Sequence, residues 1–485
     1  LNTCILAVDI GTTSTKGLAV SADGKVLANH QRYYPTFYPQ ADYAEQDPDQ
    51  IYQAVLEVIS KVIPLIPSSY SVKAISFSSA MHSILAVDEE ATPLTHLVIW
   101  ADTRSNSQAK ELRASDLGKL LHQETGAPIH PMSAFCKLLW WRQHHPELIR
   151  SAYKFISIKE FVVHKLSGEY VVDYSIASAS GMFNIYTLNW HSEVLRLTGV
   201  QEEQLSKPVD ATYRCSLLAK IQQEYFFPDV PLVMGASDGC LAQLGSGAMN
   251  KDDLTITIGT SAAVRRVSGR NLADPRQRLF NYPLDKDTLI SGGASNNGTV
   301  IIDWFSREFN HVPQNLKEFV EETSTIPAGS DGLIVLPYLQ GERAPIYNAE
   351  ARGVFFGVSV RHTPKHFKKA LLEGVCYEIL SIVRSVEDIH GPSDKIFVSG
   401  GFTYSPEWVQ LLSHVLGREL IQAEVNDASA IGAAIIGFQA MNIPFHQQQG
   451  ERKLFKPDIR LSNYYHQHYK VFELLYKQLE SLFTR

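Results

Sequence analysis

The stretch VDIGTTSTKG, residues 8–17, decides how the rest of the chain is read. An aliphatic run, Ile5-Leu6-Ala7-Val8, ends in the acid Asp9. Gly11, four hydroxyl side chains (Thr12, Thr13, Ser14, Thr15) and Lys16 follow. Apolar residues running into glycine and small hydroxyls predict a strand, a tight turn and a second strand. An ordinary hairpin explains the glycine and the hydroxyls, but it does not require an acid at the strand end. The same residues can also hold something charged. A turn of glycine and hydroxyl residues exposes backbone N–H groups that cradle phosphate oxygens. Lys16 can add a point charge, and Asp9 can bind Mg²⁺ through water, because that cation prefers oxygen ligands and keeps several waters. Neither the Gly-x-x-x-x-Gly-Lys-Thr loop nor the Gly-x-Gly-x-x-Gly fingerprint is present.

The pattern returns about half a chain later in LTITIGTSAAVRRVSG, residues 254–269. An apolar strand again runs into Ile-Gly-Thr and a hydroxyl, here Gly259-Thr260-Ser261. Two hairpins of one design at this separation suggest two related domains, each offering a phosphate clamp to a shared cleft. The 485 residues are enough for two large domains. Strands at 4–8, 17–20 and 25–29 with an Asp23-Gly24 turn, a helix over 50–63 opened by Asp47-Pro48, and strands at 72–77, 84–87 and 231–234 give an α/β mixture. The polar break MNKDD, residues 249–253, sets a boundary between domains 1–248 and 249–485, and residues 461–482 read as a terminal helix packing on the second.

Composition narrows the function. With 44 Lys and Arg against 51 Asp and Glu, the net charge of −7 supplies no basic field for nucleic acid or an anionic membrane. The five cysteines are scattered, without metal-site or disulfide spacing, as expected of reduced thiols in a cytoplasmic protein. No signal peptide and no run approaching a spanning helix is visible.

Four more stretches carry candidate chemistry. In MGASDGCLAQLGSGA, residues 234–248, Asp238 sits where a helix begins near Gly239. It can cap that helix, and the helix dipole that holds it ionised also suits it to accept the proton of an attacking hydroxyl. In FSSAMHSILAV, residues 77–87, Met81 and His82 occupy a bend, where the imidazole is either structural or bonded to a polar ligand. In VIWADTRSNSQAKEL, residues 98–112, a charged helix entry and a polyol site are both readable. Trp100 would be the apolar wall, Asp102 the acceptor of paired hydroxyls, and Arg104 the balancing charge or a partner for a carboxylate. In VSGGFTYSPEWVQLLSHVL, residues 398–416, Gly400-Gly401 form either a tight turn or a close approach to a flat ligand such as adenosine. GGASNNGTVIIDWF, residues 292–305, follows the same logic with Gly298 opening a helix. The small-residue stretch DASAIGAAIIGF, residues 427–438, reads as tight packing. Glu342 and Arg343, in QGERAPIYNAEARGVFFG, carry no assigned role beyond a structural ion pair.

These pieces, in this order and over nearly the whole chain, resemble the FGGY family of carbohydrate kinases, within the two-domain actin-like ATPase (ribonuclease H-like) fold. DIGTTSTK is similar to the family's first phosphate loop, TIGTSAAV to its second, SGGFTYSPEWVQ to its adenosine-side loop and GASDG to the stretch holding the catalytic base. RGVFFGVSVRHTPKHFKKALLEGVCYEI is similar to the C-terminal signature. MSAFCKLLWWR is similar to the N-terminal one, with departures at Ala134 and Trp141 that should affect packing. SSAMHSILAVDEEATPL, WADTRS, TGAPIHPMS and VVDYSIASASGMFNIY most resemble the gluconate kinases of the family. Xylulose kinases usually carry Asn after the catalytic Asp, where this chain has Gly239.

The resemblance implies an active site in the interdomain cleft, ATP and Mg²⁺, and transfer to a primary hydroxyl, for gluconate giving 6-phosphogluconate. Asp238 would be the base. Met81, His82, Trp100, Asp102 and Arg104 would line the sugar site. Thr12, Thr13, Lys16, Gly259, Thr260 and Gly298 would face the phosphates, Gly400, Gly401 and Ser405 the adenosine side, and Asp9 the metal through water. A kinase for another polyol or ketose such as xylulose, and an actin-like ATPase without sugar turnover, are the alternatives. The sequence leaves open whether the protein forms a homodimer.

Overall fold

The computed structural model describes residues 2–248, 250–269, 274–309, 315–423, 427–446 and 452–483. Met249, the first residue of the expected boundary, lies outside them. The chain forms two compact units. The first comprises Leu1–Met249, Ser268–Ile290 and Asn426–Gln449, and the second Asn250–Val267, Ser291–Val425 and Gly450–Arg485. A single cut at 248/249 therefore does not describe the division. Two segments from the second half of the sequence return to the first unit.

The sheet of the first unit runs in the order Arg214–Cys215, Leu232–Ser237, Tyr70–Ser79, Asn2–Ile10, Ser14–Ser21, Val26–Tyr33. Asn2–Ile10 pairs antiparallel with Ser14–Ser21, with Asp9 opposite Lys16, and parallel with Tyr70–Ser79. Side chains alternate between the two faces of the central strand. Leu6, Val8 and Ile10 join the core formed with helix Pro48–Val62, through Ile51, Val55, Val58 and Ile59. That helix starts where Asp47 accepts from the backbone N–H groups of Asp49 and Gln50, with Pro48 in its first turn. Ile5, of opposite parity, meets helix Ala428–Ala440 on the other face, where a Cβ at Gly437 would lie 2.7 Å from Ile5 Cγ2. The same helix crosses Asp238–Gly245 closely. A Cβ on Gly432 would come within 2.1 Å of Leu241 O, and one on Gly245 within 1.8 Å of Ala428 O, so neither glycine can be replaced without moving backbone. A satellite core gathers Ile84, Val98, Phe135, Leu138, Trp141 and Phe155. It buries both Ala134 and Trp141.

The second unit repeats the plan. Leu254–Ile258 pairs antiparallel with Ala262–Ser268 and parallel with Ile396–Ser399, as Asn2–Ile10 does with Ser14–Ser21 and Tyr70–Ser79. Leu420–Ala423 and Arg452–Phe455 extend the sheet beyond Ile396–Ser399. Helix Pro364–His390 and the terminal helix Ile459–Leu479 belong to this unit. All five cysteines are buried. Among the described residues no helix is long and apolar enough to cross a membrane.

Candidate active site

In the first unit the turn at residues 11–13 is closed by Gly11 N to Ser14 O, at 3.0 Å. Two side chains that the sequence did not single out hold it from outside. Tyr34 donates its hydroxyl to Gly11 O at 2.6 Å, and Gln46 donates Nε2 to Thr12 O at 2.6 Å. Carbonyls pinned this way leave the turn's shape independent of a ligand. Thr13 is exposed at the tip.

Asp9 sits at the end of its strand as expected. Its Oδ2 accepts from Ser429 Oγ at 2.7 Å, whereas Oδ1 is buried without a protein hydrogen-bond partner. Burial pushes its carboxyl above the ordinary value. The hydroxyls of Ser78 and Ser429 and the Lys16 ammonium oppose that shift, and the nearby Asp427 carboxylate adds to it. A buried anionic oxygen with no donor fits a hard cation or a water bound to one. Lys16 lies beside it, but its ammonium is committed to Asp427, Nζ to Oδ1 at 2.5 Å, with both side chains about a third exposed or less.

Asp238 opens helix Asp238–Gly245, one residue earlier than expected. The cap is Ser237, whose Oγ accepts from Cys240 N at 3.4 Å, which leaves Asp238 in the first helical turn rather than at the cap. Its Oδ1 accepts from Gly239 N at 2.6 Å, and it is half-buried. An acid here faces the positive end of the helix, which favours the carboxylate.

His82 has a left-handed backbone, φ 66°. Its Nδ1 donates to Ala179 O at 2.8 Å, which fixes the tautomer and leaves Nε2 as the acceptor nitrogen. Its carbonyl accepts from Lys137, a buried lysine that also donates to Ile99 O and Met132 O, all at 2.7–2.8 Å. One ammonium thus ties together the turns that carry Met81-His82 and Trp100. Burial brings the Lys137 pKa down to about 7. Behind His82 lies a cavity of about 30 Å³ bordered by Ser83, Glu160 and Ser180 among others, room for a water and not for a sugar. Glu160 there is pushed up to about 6 by burial.

Asp102 and Arg104 differ from expectation. Arg104 makes a forked contact with Asp102, Nε to Oδ1 at 2.9 Å and a terminal nitrogen to Oδ2 at 2.7 Å, and reaches Glu45 at 2.5 Å. Its guanidinium lies 3.6 Å from the centre of the Tyr43 ring. Asp102 is fully buried and also accepts from Ala44 N at 2.8 Å. Neither side chain is therefore placed to take sugar hydroxyls or a carboxylate. The pair fastens residues 43–45 to residues 102–104. Glu45 and Tyr43 are far enough away in sequence that WADTRS alone could not reveal them. Trp100 Nε1 donates to Thr12 Oγ1.

In the second unit the turn at residues 259–261 is one residue tighter, closed by Gly259 N to Ser261 O at 2.9 Å. Gly298 N donates to Thr260 O at 3.0 Å and Thr299 N to Gly259 O at 2.7 Å. A Cβ on Gly298 would sit 2.3 Å from Gly259 O. Its glycine is thus required by the turn it braces, and its amide is used there rather than offered to phosphate. Glu342 and Arg343 also acquire a place. Buried Glu342 accepts from Ser295 Oγ, Asn296 N and Asn297 Nδ2 at 2.7–2.9 Å, and Arg343 donates to Ser295 O at 3.1 Å, so both bracket the loop before Gly298.

Gly400, φ 98°, passes Ile258 O so closely that a Cβ would lie 2.5 Å away, whereas a Cβ on Gly401 would meet nothing within 4 Å. Ser405 is fully buried. It caps helix Pro406–Leu416, accepting from Trp408 N at 3.4 Å and donating to Glu407 at 3.0 Å. The adenosine-side role expected for Ser405 has no exposed atom to act through.

The N-terminal domain model of the FGGY family of carbohydrate kinases matches residues 4–245, and its C-terminal domain model matches residues 254–441. The chain is 38% identical over 449 residues to the gluconokinase of Bacillus subtilis (strain 168), covering 90% of this chain and 87% of that one. The crystal structure of gluconate kinase from Lactobacillus acidophilus superposes with a TM-score of 0.94 at 29% identity, over 99% of this chain and 98% of that one. The ligand-bound xylulose kinase of the same organism gives 0.93 at 30% identity with the same coverage.

Proposed function

The chain belongs to the FGGY family of carbohydrate kinases, and on that premise we propose that its acceptor is gluconate and its product 6-phosphogluconate. As a member it is an ATP-dependent sugar kinase, a phosphotransferase with an alcohol acceptor, built on the two-domain α/β actin-like (ribonuclease H-like) fold. The observation that carries the gluconate assignment is the 38% identity to a gluconokinase over 90% of the chain. The xylulose kinase likeness favours a second reading, a ketopentose acceptor.

In the proposed reaction Asp238 takes the proton of the primary hydroxyl as that oxygen attacks the terminal phosphate of ATP. Phosphoryl transfer has a loose transition state, so placing the hydroxyl matters more than a strongly basic carboxylate. Its seat in the first turn of a helix keeps Asp238 ionised for that task. His82, with Nδ1 fixed as a donor, presents Nε2 as acceptor to a sugar hydroxyl. Trp100 and Met81 are the proposed apolar walls. The turns carrying Thr12, Thr13, Gly259 and Thr260 are the proposed phosphate cradles, and Gly401 lets the adenosine side approach. Mg²⁺ would supply charge neutralisation on the transferring phosphates, and Asp9, through Oδ1, is the residue proposed to hold it by way of water.

ADP release measured over a panel of gluconate, xylulose, glycerol and water tests the reading. Turnover well above the water blank only with gluconate is expected. Equal rates for gluconate and neutral pentuloses would remove the gluconate assignment, and ADP release unaffected by any sugar would remove the kinase chemistry.

A further inference from the structure

The proposed base and the proposed sugar ligand are held by opposite ends of one short helix, Tyr174–Ala179. At its start, the Asp173 carboxylate caps the helix, Oδ1 accepting from Ser175 N at 3.1 Å and Ile176 N at 3.2 Å. The Ser175 hydroxyl donates to the same oxygen at 2.5 Å and accepts from Ser237 N at 2.8 Å. A serine hydroxyl has one hydrogen and two lone pairs, so a single group completes both bonds. The second Asp173 oxygen is taken by Lys159 Nζ at 2.7 Å. Lys159, Asp173, Ser175 and Ser237 are all buried, and Ser237 immediately precedes Asp238. At the far end, Ala179 O accepts from His82 Nδ1 at 2.8 Å.

A buried ion pair is a poor source of stability, because the desolvation of both charges offsets their attraction. Here it does something more specific. It fixes the direction of the Ser175 hydroxyl hydrogen, and so leaves that oxygen's lone pair aimed at Ser237 N. We infer that Ser175, with its hydroxyl oriented by Asp173 and Lys159, is a positioning residue for Asp238, and that the helix is the strut that sets the base against the histidine. The inference rests on the assignment of Asp238 as the base. A general base works only within hydrogen-bond reach of the proton it takes, and small displacements are costly in rate.

The test is steady-state kinetics of the full-length protein with the sugar turned over fastest in the panel. Ser175→Ala is compared in the wild-type and in the Asp238→Asn background, with thermal unfolding as a check of folding. Ser175→Cys, which keeps the volume with a weaker acceptor, is the second variant. The expected result is a fall in kcat of about 10- to 100-fold for Ser175→Ala, with KM for ATP within about twofold of the wild type. Ser175→Cys should lie between the two, and Ser175→Ala should cause no further loss once Asp238 is Asn. Wild-type kcat in both Ser175 variants beside an inactive Asp238→Asn overturns the positioning role and leaves the base standing. Equal losses in the two backgrounds also overturn it, since a residue acting only through folding would behave so. Normal turnover by Asp238→Asn overturns the base and the inference together.

Discussion

Trp100 donates its indole N–H to the hydroxyl of Thr12, Nε1 to Oγ1, at 3.0 Å. The residue proposed as a sugar wall is therefore bonded to the turn proposed to cradle phosphate. The two sites share a part and are not merely neighbours. Replacing Trp100 by Phe keeps an aromatic face and removes the donor. One hydrogen bond contributes about 1 kcal/mol net, so KM for ATP and for the sugar should both rise roughly fivefold in Trp100→Phe. A rise confined to the sugar would mean that the bond to Thr12 carries nothing.

Arg104 gives a prediction opposite in kind to the one the sequence invites. Its charge is engaged by Asp102 and Glu45 in a nearly buried cluster. Removing one member of such a cluster leaves a buried charge without its partner, at a cost of about 3–5 kcal/mol. Arg104→Met should lower the denaturant midpoint clearly, and change KM for gluconate and for a neutral polyol by the same factor. A selective rise for gluconate with unchanged stability would return Arg104 to the substrate.

Two glycines of the second unit separate architecture from ligand contact. A Cβ at Gly298 would overlap Gly259 O, so Gly298→Ala must shift the turn, and about 1–3 kcal/mol of stability should go with it. A Cβ at Gly401 meets open space. Gly401→Ala should leave thermal unfolding unchanged while raising KM for ATP, because the added methyl group occupies the approach proposed for adenosine. Unchanged KM in Gly401→Ala would move the nucleotide elsewhere.

Asp9 should trade stability for function. Its carboxyl is raised above the ordinary value of 3.8 by burial, so the folded state resists ionising it more than the unfolded chain does. The penalty is absent while both states are protonated, below the ordinary value. It grows as pH rises through the folded value and is complete above it. Asp9→Asn should therefore melt higher than the wild type near pH 7 in the absence of ligand, by roughly 1 kcal/mol, with the gap closing as pH falls towards 3.8. Its Mg²⁺-dependent turnover should be lost. Lower stability of Asp9→Asn at neutral pH would contradict this picture of a buried acid whose partners offset its burial only in part.

Much of this was legible because it is local. Strand, glycine turn and strand are encoded within ten residues at each hairpin, and both hairpins form with the same pairing. The acid at a helix start was equally local, although the capping serine lies one residue before it. What the sequence could not display depends on residues meeting across long separations. Helix Ala428–Ala440 packs in the first unit and sends Ser429 to Asp9. Arg104 finds Tyr43 and Glu45, and Glu342 finds the loop before Gly298. Arg104 is the case where a charged residue near a turn reads as a ligand group while distant partners, invisible to spacing, already occupy it. Ser405 shows a related ambiguity, since a serine before Pro-Glu is equally a cap and a contact, and here the cap prevails.

Gluconate as the acceptor can be tested in a single reaction. The most direct measurement incubates the purified protein with ATP, Mg²⁺ and either gluconate or xylulose, and follows the phosphorylated sugar and ADP together by phosphorus NMR. One equivalent of 6-phosphogluconate per ADP is expected, at a kcat/KM far above that for xylulose. A phosphorylated pentulose formed as fast or faster, or ADP accumulating with no sugar phosphate, would contradict it.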